Sequence, residues 1–281
     1  MDGINPTRIS QVRLFKASQY QPRQPLCYDQ GVIIVGQGTK RVFLGEDVYE
    51  YNPDNYLVLS VPLPGECETQ ATRDKPLLSM ILDLDMTLIK TIIKQMHSNP
   101  GQDNTTKGLF LARTTHEIKD ACLRLLQALE SPVESQILGP KIIHELFFRI
   151  LCGENGTALH DLAMKNTNLS RVDKALKLIH GNYSRPMDVD QLSSLVHMSP
   201  SSFHRAFKEV TASSPIQYLK KIRLDKARAL LSNQGLRVNE AAARVGYESP
   251  TQFSREFKRY FGTTPVSFLP GHSPGHSANP L

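Results

Sequence analysis

Short apolar runs alternate with turn residues over residues 12–83. The runs lie at residues 32–35, 41–44 and 56–61. Gly, Asn, Asp and Pro cluster between them, at residues 36–38, 45–47 and 52–55. The spacing is about 8 to 12 residues, and no helical period interrupts it. This pattern predicts short strands that close into a small β-barrel or pack as a β-sandwich.

The periodicity changes to that of amphipathic helices after residue 84. Asp85 is placed to cap a helix whose apolar face carries Leu88, Ile89, Ile92, Ile93 and Met96. Thr114 and Glu117 form a capping box ahead of an apolar stripe over residues 118–129. Pro140 opens a third helix over residues 142–152. These helices either cover the β-sheet or form a dimer interface, and the pattern leaves both open.

A mostly polar connector over residues 154–168 separates this region from a second one, which is helical to about residue 268. Within the second region, residues 199–219 recur at residues 249–269, with eight of 21 positions identical. Such self-similarity indicates two copies of one structural unit. The identical residues of the first copy are Ser199, Pro200, Phe203, Arg205, Phe207, Lys208, Pro215 and Leu219.

Each copy has the pattern of a helix-turn-helix. A short apolar-periodic helix leads into a tight turn, and a Ser-Pro pair then starts a second helix with two Phe residues at i and i+4. Gly246 supplies a turn residue that tolerates positive φ in the second copy. Between the copies, a helix opened by Pro215 runs 17 residues to Leu231, or about 25 Å. With its turns, it can separate the two second helices by about 34 Å, one turn of B-DNA.

If the Phe pairs point inward, polar and basic side chains of the second helices point outward. Ser, Thr, Gln, His and Arg near a helix N-terminus can reach base edges in the major groove, with Arg suited to guanine and Gln to adenine. An ordinary solvated helix face is the alternative, and two such faces in register make it less favoured. The predicted DNA-binding residues are Ser201, Ser202, His204, Arg205, Lys208, Thr251, Gln252, Ser254, Arg255 and Lys258.

The charge distribution favours the same conclusion. The net charge is +6, and residues 170–270 hold 16 Lys and Arg against 8 Asp and Glu, so the basic excess lies in the C-terminal third. Such a segment suits a polyanion such as DNA. A length of 281 residues fits two domains. No apolar run is long enough for a membrane span, and four cysteines without a CxxC pair indicate reduced thiols. We therefore expect no membrane association and a cytoplasmic location.

The sequence contains no motif that indicates an enzyme. Residues 1–96 contain no His, so a metal-dependent barrel enzyme is not expected, and no P-loop, GxGxxG, GxSxG or HExxH occurs. We predict no catalytic residue, no cofactor and no metal. Cys27 or Cys67 is either a sensor thiol or a small buried hydrophobe. Strand alternation does not settle which polar side chains of the β region face inward, and the candidates for binding a small effector are Tyr28, Arg41, Tyr49 and Tyr51.

Residues 170–268 closely resemble the DNA-binding domain of the AraC/XylS transcriptional regulators. The specific match is Val245-Gly246-Tyr247-Glu248-Ser249, Gln252 to Lys258 and Phe261-Gly262-Thr263-Thr264-Pro265, with Ala241 where the family usually has Ile. Residues 32–38, 40–45, 51–53 and 56–64 resemble the cupin-type sensor barrel of one AraC subfamily. The resemblance implies a regulator of transcription and favours activation, with RNA polymerase as a partner.

The sequence thus predicts an α+β protein: a small cupin-like β-barrel with flanking helices, then an all-α domain with two helix-turn-helix units joined by a linker helix. The predicted parts are an effector-sensing and dimerising domain over residues 1–162, a DNA-binding domain over residues 168–270 and a flexible tail over residues 271–281. Expected partners are double-stranded DNA, an unknown small-molecule effector and a second copy of the chain. The alternatives are a cupin-type enzyme or sugar-binding barrel with an accessory DNA-binding domain, and an architectural DNA binder without sequence preference.

Overall fold

The computed structural model of the chain describes residues 1–96, 107–164 and 167–270. Its N-terminal part contains two antiparallel sheets, one of six strands in the order β1-β2-β9-β4-β7-β10 and one of four in the order β3-β8-β5-β6. The strands are β1 (Gly3–Pro6), β2 (Val12–Ala17), β3 (Gln21–Tyr28), β4 (Gly31–Gln37), β5 (Thr39–Leu44), β6 (Asp47–Tyr51), β7 (Asn55–Leu59), β8 (Leu63–Gln70), β9 (Leu77–Asp83) and β10 (Leu109–Arg113).

Strand alternation divides the side chains between the faces of each sheet. In β5, Lys40, Val42 and Leu44 are buried, while the intervening residues are more exposed. In β4, residues 31–35 are all buried, because the six-stranded sheet is covered on both faces. Ile33 and Val35 pack towards the second sheet, and Val32 and Ile34 pack against helices.

Five helices follow the β region: α1 (Met86–Met96), α2 (His116–Ala128), α3 (Pro132–Ile137), α4 (Gly139–Leu151) and α5 (Gly156–Ala163). Apolar side chains of α1, α2, α4 and α5 share a buried cluster with Val32, Val58 and Leu82 of the six-stranded sheet. The structure therefore shows these helices covering the sheet, one of the two arrangements that the pattern allows.

Local details differ from the sequence expectation. Asp85 caps α1 as predicted, accepting from the backbone N–H groups of Thr87 and Leu88. The residue that caps α2 is Thr115, not Thr114, and its hydroxyl accepts from the N–H of Ile118. The supposed polar connector contains α5, whose Ala158, Leu159 and Leu162 are buried. Those three residues are spaced for one helical face, a signal that the polar neighbours masked.

Six more helices complete the described chain: α6 (Asn168–Asn182), α7 (Val189–Leu195), α8 (Pro200–Thr211), α9 (Pro215–Gln234), α10 (Val238–Arg244) and α11 (Pro250–Phe261). A 3₁₀-helix, Pro265–Phe268, follows. The pairs α7–α8 and α10–α11 are the two predicted helix-turn-helix units, and α9 is the linker helix. Leu224, Ala227 and Leu231 of α9 pack on the second unit, around Phe253 and Phe257.

The core of the first unit is continuous with that of the β domain. Phe203, Phe207 and Tyr218 belong to the same buried cluster as Leu26 of β3 and Leu63 of β8. A backbone hydrogen bond also joins the N–H of Gly108 to the carbonyl of Val210, at the end of α8. The β domain thus contacts the first helix-turn-helix unit directly.

The α+β fold class, with its β-rich N-terminal part and two helix-turn-helix units, is confirmed. The β region consists of two facing sheets rather than one closed barrel. The predicted domain boundary, between residues 162 and 168, includes residues 165–166, which lie outside the described residues, as does the tail over residues 271–281. Among the helices that the structure describes, none is long and apolar enough to cross a membrane.

Candidate nucleic-acid interface

The second helix of each unit begins in the same way. Ser199 precedes α8 and Ser249 precedes α11, each with extended backbone, and each hydroxyl accepts from the N–H three residues on, at 3.3 Å. Pro occupies the first helical position in both. These caps satisfy N–H groups that a helix start leaves unpaired, and so fix where the exposed face of each helix begins.

The turns differ by one residue between the units. His197 is the left-handed residue of the first turn, at φ 54°, and Gly246 has this role in the second, at φ 86°. Equivalent backbone hydrogen bonds run from Met198 to Ser193 and from Tyr247 to Ala242, both 3.0 Å. Equivalent turn residues of the two units are 49 positions apart, whereas equivalent residues of the second helices are 50 positions apart. The second unit therefore has one additional residue, Glu248, between its turn and its cap.

The buried and exposed faces of α8 and α11 follow the Phe spacing. Phe203, Phe207, Phe253 and Phe257 are fully buried. Of the predicted DNA-binding residues, Ser202 and Ser254 are partly exposed, and the others are exposed: Ser201, His204, Arg205, Lys208, Thr251, Gln252, Arg255 and Lys258. The structure therefore places all ten on the outward sides of the two helices.

Neither predicted guanine reader is neutralised by an acidic neighbour. Arg205 and Arg255 form no salt bridge within the described ranges. Glu256, the acid next to Arg255, is turned inward and only 8 % exposed. Its carboxylate accepts from Lys220 Nζ at 3.0 Å, Tyr247 Oη at 2.9 Å and Gln252 Nε2 at 3.2 Å.

This carboxylate is a charged hydrogen-bond centre inside the second unit. Burial acts to raise the pKa of Glu256, but the three hydrogen bonds and the charge of Lys220 outweigh it, so that the pKa lies below its usual value. Glu256 thereby fixes α11 against α9, and it engages the amide nitrogen of Gln252.

Arg223, on α9, ties the two units together and was not predicted from the sequence. Its guanidinium donates to the backbone carbonyls of Tyr183 at 2.7 Å, Arg185 at 2.9 Å and Gly246 at 3.2 Å. The first two precede α7 and the third lies in the turn of the second unit. Because an exposed Arg and a fork-donating Arg look alike in a sequence, no local signal reveals this role.

The basic residues of the helical region fall into two groups. Lys220 is paired with Glu256, and Lys221 is half-buried and donates to Ser213 Oγ at 3.2 Å. Burial lowers the pKa of Lys221. Lys208, Lys258 and Arg259 are exposed, and so they are the better placed to meet phosphates. Arg171 on α6 joins Ser202 and Arg205 around an open hollow of about 350 Å³ beside α8, and the sequence reasoning did not single it out.

The effector candidates separate by strand alternation. Tyr28 and Tyr51 are buried and face the space between the two sheets. Arg41 lies on the outer face, paired with Glu50 and Glu68. Tyr49 shares the inward side of β6 with Tyr51, opposite Val42, and its hydroxyl donates to Asp47. The inward residue next to Arg41 is Lys40, which the sequence reasoning did not select. No group of three or more His, Cys, Asp or Glu with metal-binding geometry occurs within residues 1–96, 107–164 and 167–270.

Two family models match the chain. Residues 8–158 match the N-terminal domain of AraC-type transcriptional regulators, and residues 192–270 match a helix-turn-helix domain. The first match covers more than half of the chain.

Relatives and solved structures agree with these matches. The regulator GbdR of Pseudomonas aeruginosa is 32 % identical over 102 residues, which cover 36 % of this chain and 28 % of that protein. The activator RhaS of Escherichia coli is 27 % identical over 160 residues, 57 % of each chain. The chain thus spans between a quarter and three fifths of these relatives' lengths. The apo structure of a variant of ToxT from Vibrio cholerae has a TM-score of 0.61 at 10 % identity, covering 92 % of this chain and 96 % of that one, which shows a shared fold.

Proposed function

The chain belongs to the AraC-type transcriptional regulators, and we propose from this premise that it binds double-stranded DNA through α8 and α11 and so regulates transcription. The observation that carries the proposal is the pair of exposed helix faces, each capped by Ser, anchored by buried Phe residues and rich in donors. Two such faces joined by one linker helix can read successive major-groove segments.

The ten residues have different roles in this proposal. Arg205 and Arg255 read guanine edges, and Ser201, Ser202, His204, Thr251, Gln252 and Ser254 contact bases or sugars nearby. Lys208 and Lys258, further along each helix, contact phosphates and contribute affinity without sequence preference.

A small effector bound in the N-terminal domain controls this activity. The support is the contact between the domains: a ligand between the sheets touches strands β3 and β5, while α9 packs on β3 and β8 and α11 contacts β3. A change in the strands can therefore reach α11 directly and α8 through α9. Differential binding of the effector to two arrangements is what makes it a regulator.

The regulator acts as a homodimeric activator that contacts RNA polymerase. Leu123 on α2 and Val133 and Ile137 on α3 are each more than half exposed, and an apolar face of this kind supports self-association. Sedimentation analysis of the wild type and of Ile137→Glu checks the dimer, since a charge in an apolar contact favours the monomer. If the wild type is a dimer and Ile137→Glu sediments as the same dimer, the dimer contact lies elsewhere.

The proposal is tested by selecting the genomic DNA fragments that the full chain binds, then comparing binding to a selected site and to random DNA at the same salt concentration. Preferred sites upstream of genes, with affinity falling steeply as salt rises, are expected. Equal affinity for random DNA would identify an architectural binder instead, and no binding would overturn the proposal.

A further inference from the structure

Lys40 is a buried cation without an anionic partner. Its side chain points between the two sheets and is only 6 % exposed. Within the part of the chain that the structure describes, it forms no salt bridge. Its ammonium lies 4.9 Å from the ring centroid of Phe15 and 5.7 Å from that of Tyr28. Cation–π contacts offset only part of the cost of removing an ammonium from water.

Two phenols beside Lys40 also lack a well-formed hydrogen bond. The hydroxyls of Tyr28 and Tyr51 are buried, and neither makes a hydrogen bond of normal geometry to any residue that the structure describes. The two side chains adjoin each other and Cys67, and burial raises the pKa of both phenols, so both hydroxyls keep their protons at neutral pH. Buried hydroxyls normally have a partner, and two side by side without a well-formed hydrogen bond are unusual.

All three groups line one cavity between the sheets. Its volume is about 50 Å³, room for roughly three or four water-sized positions. Most of the remaining wall is apolar, from Ile4, Phe15, Leu26, Ile33, Leu59 and Ile81. Arg13, Asp29, Gln30 and Ser79 also line the cavity, and Arg13 is already paired with Asp83. Of the two cations that line the cavity, Lys40 is therefore the one without a salt-bridge partner among the described residues, and it lies beside two phenol donors in a largely apolar wall.

We propose that this cavity binds a small monocarboxylate, whose carboxylate accepts from Lys40 and the hydroxyls of Tyr28 and Tyr51 and whose short apolar part packs against Phe15 and Ile33. The inference rests on the proposed function only in naming the chemical class of the effector. A single negative charge matches the charge of Lys40, whereas a phosphate dianion would leave one charge uncompensated in an apolar site. A sugar would need partners for many hydroxyls, which the apolar wall does not provide.

The test measures binding to the full chain by calorimetry and by thermal unfolding. The probes are acetate, butyrate and hexanoate, with acetamide, butyramide and hexanamide as neutral counterparts and inorganic phosphate as a dianion. We expect at least one carboxylate to bind and raise the unfolding midpoint, and its amide to bind at least about tenfold more weakly, because a charge-assisted hydrogen bond is lost.

Strand alternation provides matched control variants. Lys40→Met and Tyr51→Phe remove a donor from the cavity, and each is expected to weaken carboxylate binding about tenfold or more. Arg41→Met and Glu50→Gln change the outward neighbours on the same two strands and are expected to leave the affinity unchanged. Without ligand, Lys40→Met is expected to unfold a few degrees higher than the wild type, since an uncompensated buried charge is removed. A structural role for Lys40 would instead lower the midpoint.

The outcomes separate the site from the proposed function. The site is rejected if no carboxylate binds the wild type, if the amides bind equally well, or if Lys40→Met and Tyr51→Phe bind as the wild type does. Binding to a selected DNA site is measured in parallel, with and without the carboxylate. If the carboxylate binds through Lys40 but DNA affinity does not change, the site stands and the effector role fails. If specific DNA binding persists but no carboxylate binds, the proposed function stands and the carboxylate site is rejected.

Discussion

The hydroxyl of Tyr218, on the linker helix α9, donates a 2.8 Å hydrogen bond to the backbone carbonyl of Pro62, in the β domain. The same oxygen lies 2.8 Å from Nε2 of His180 on α6. Because the single hydroxyl proton is given to Pro62, the network assigns the imidazole proton to Nε2, which donates to Tyr218. One side chain thus joins the linker helix, α6 and the β domain.

Removing the Tyr218 hydroxyl is expected to destabilise the full chain. Tyr218→Phe leaves the Pro62 carbonyl and the His180 N–H without a partner in a buried contact, which costs about 1 to 3 kcal/mol of unfolding free energy. Denaturant unfolding measures the change. Tyr20→Phe is the control, since that hydroxyl donates to Glu68 on the exposed surface and its loss is expected to cost less than about 0.5 kcal/mol. Equal effects of the two variants would contradict a special role for Tyr218.

Stability should depend on pH through His180. Burial, with a smaller contribution from Lys226, lowers the pKa of this imidazole below its ordinary 6.5. As the pH falls through that value, the unfolded chain takes up a proton that the folded chain resists, so stability is lost on the acid side and regained towards neutrality. Burial lowers the pKa of His160 as well, with the same sign. Unfolding free energies of the wild type and His180→Gln across this range check the prediction, and parallel curves would refute it.

The helix-turn-helix units were predictable because their information is local. A duplicated Phe spacing and a Ser-Pro start mark each unit within roughly thirty residues, and a Gly turn marks the second unit as well. The same local signals placed Arg205 and Arg255 on outward faces. Glu248 lies between the turn and the cap of the second unit, outside the repeat that the second helices form, so the repeat does not reveal it. The residue that caps α2 is Thr115 rather than its neighbour Thr114, because the pattern does not distinguish two adjacent threonines.

The β domain was less predictable because its information is non-local. Lys40 is a charged residue on the otherwise apolar inward face of β5, so the sequence pattern does not show whether Lys40 or Arg41 faces the space between the sheets. Only the pairing of β5 with β6, which sets Lys40 opposite Tyr51, decides which side chains share the cavity. Likewise, nothing in the sequence near Tyr218 shows that it meets Pro62, because the two residues are 156 positions apart.

Arg205→Ala and Arg255→Ala should relax base preference. Each loses a bidentate guanine contact that is worth about 1 to 3 kcal/mol of discrimination. Lys208→Ala, by contrast, should lower the affinity for all DNA sequences by a similar factor, because the Lys208 side chain contacts phosphate. Binding to the selected site and to its single-base variants distinguishes the two effects. If both Arg variants keep the wild-type preference and only unfold more easily, these residues support the fold rather than read bases.

Lys220 and Lys258 form a matched pair for the phosphate contacts. Lys258→Met should lower DNA affinity and reduce the salt slope of binding by about one. Lys220→Met removes the partner of the buried Glu256, so it should mainly lower stability, by about 2 kcal/mol. Salt titrations of DNA binding and denaturant unfolding separate the two. A reduced salt slope for Lys220→Met, with unchanged stability, would show that its pairing with Glu256 is dispensable.

Gly246 and Gly262 share a left-handed backbone, at φ 86° and 73°, but not a common environment. A Cβ at Gly262 would meet nothing within 4 Å, so Gly262→Ala should cost only the backbone strain, about 1 to 2 kcal/mol. A Cβ at Gly246 would clash with the carbonyl oxygen of Ser184, and the backbone would have to move.

That movement should reach the DNA-binding face of the second unit. The Gly246 carbonyl accepts from Arg223, which also holds the chain before α7, so displacing it loosens the link between the units. We expect Gly246→Ala to lose about 3 kcal/mol or more of stability, and to bind the selected site more weakly even where it is folded. Denaturant unfolding and DNA binding of the two Ala variants provide the comparison. Equal losses would mean that φ alone, and not the contact with Ser184, makes glycine necessary in this turn.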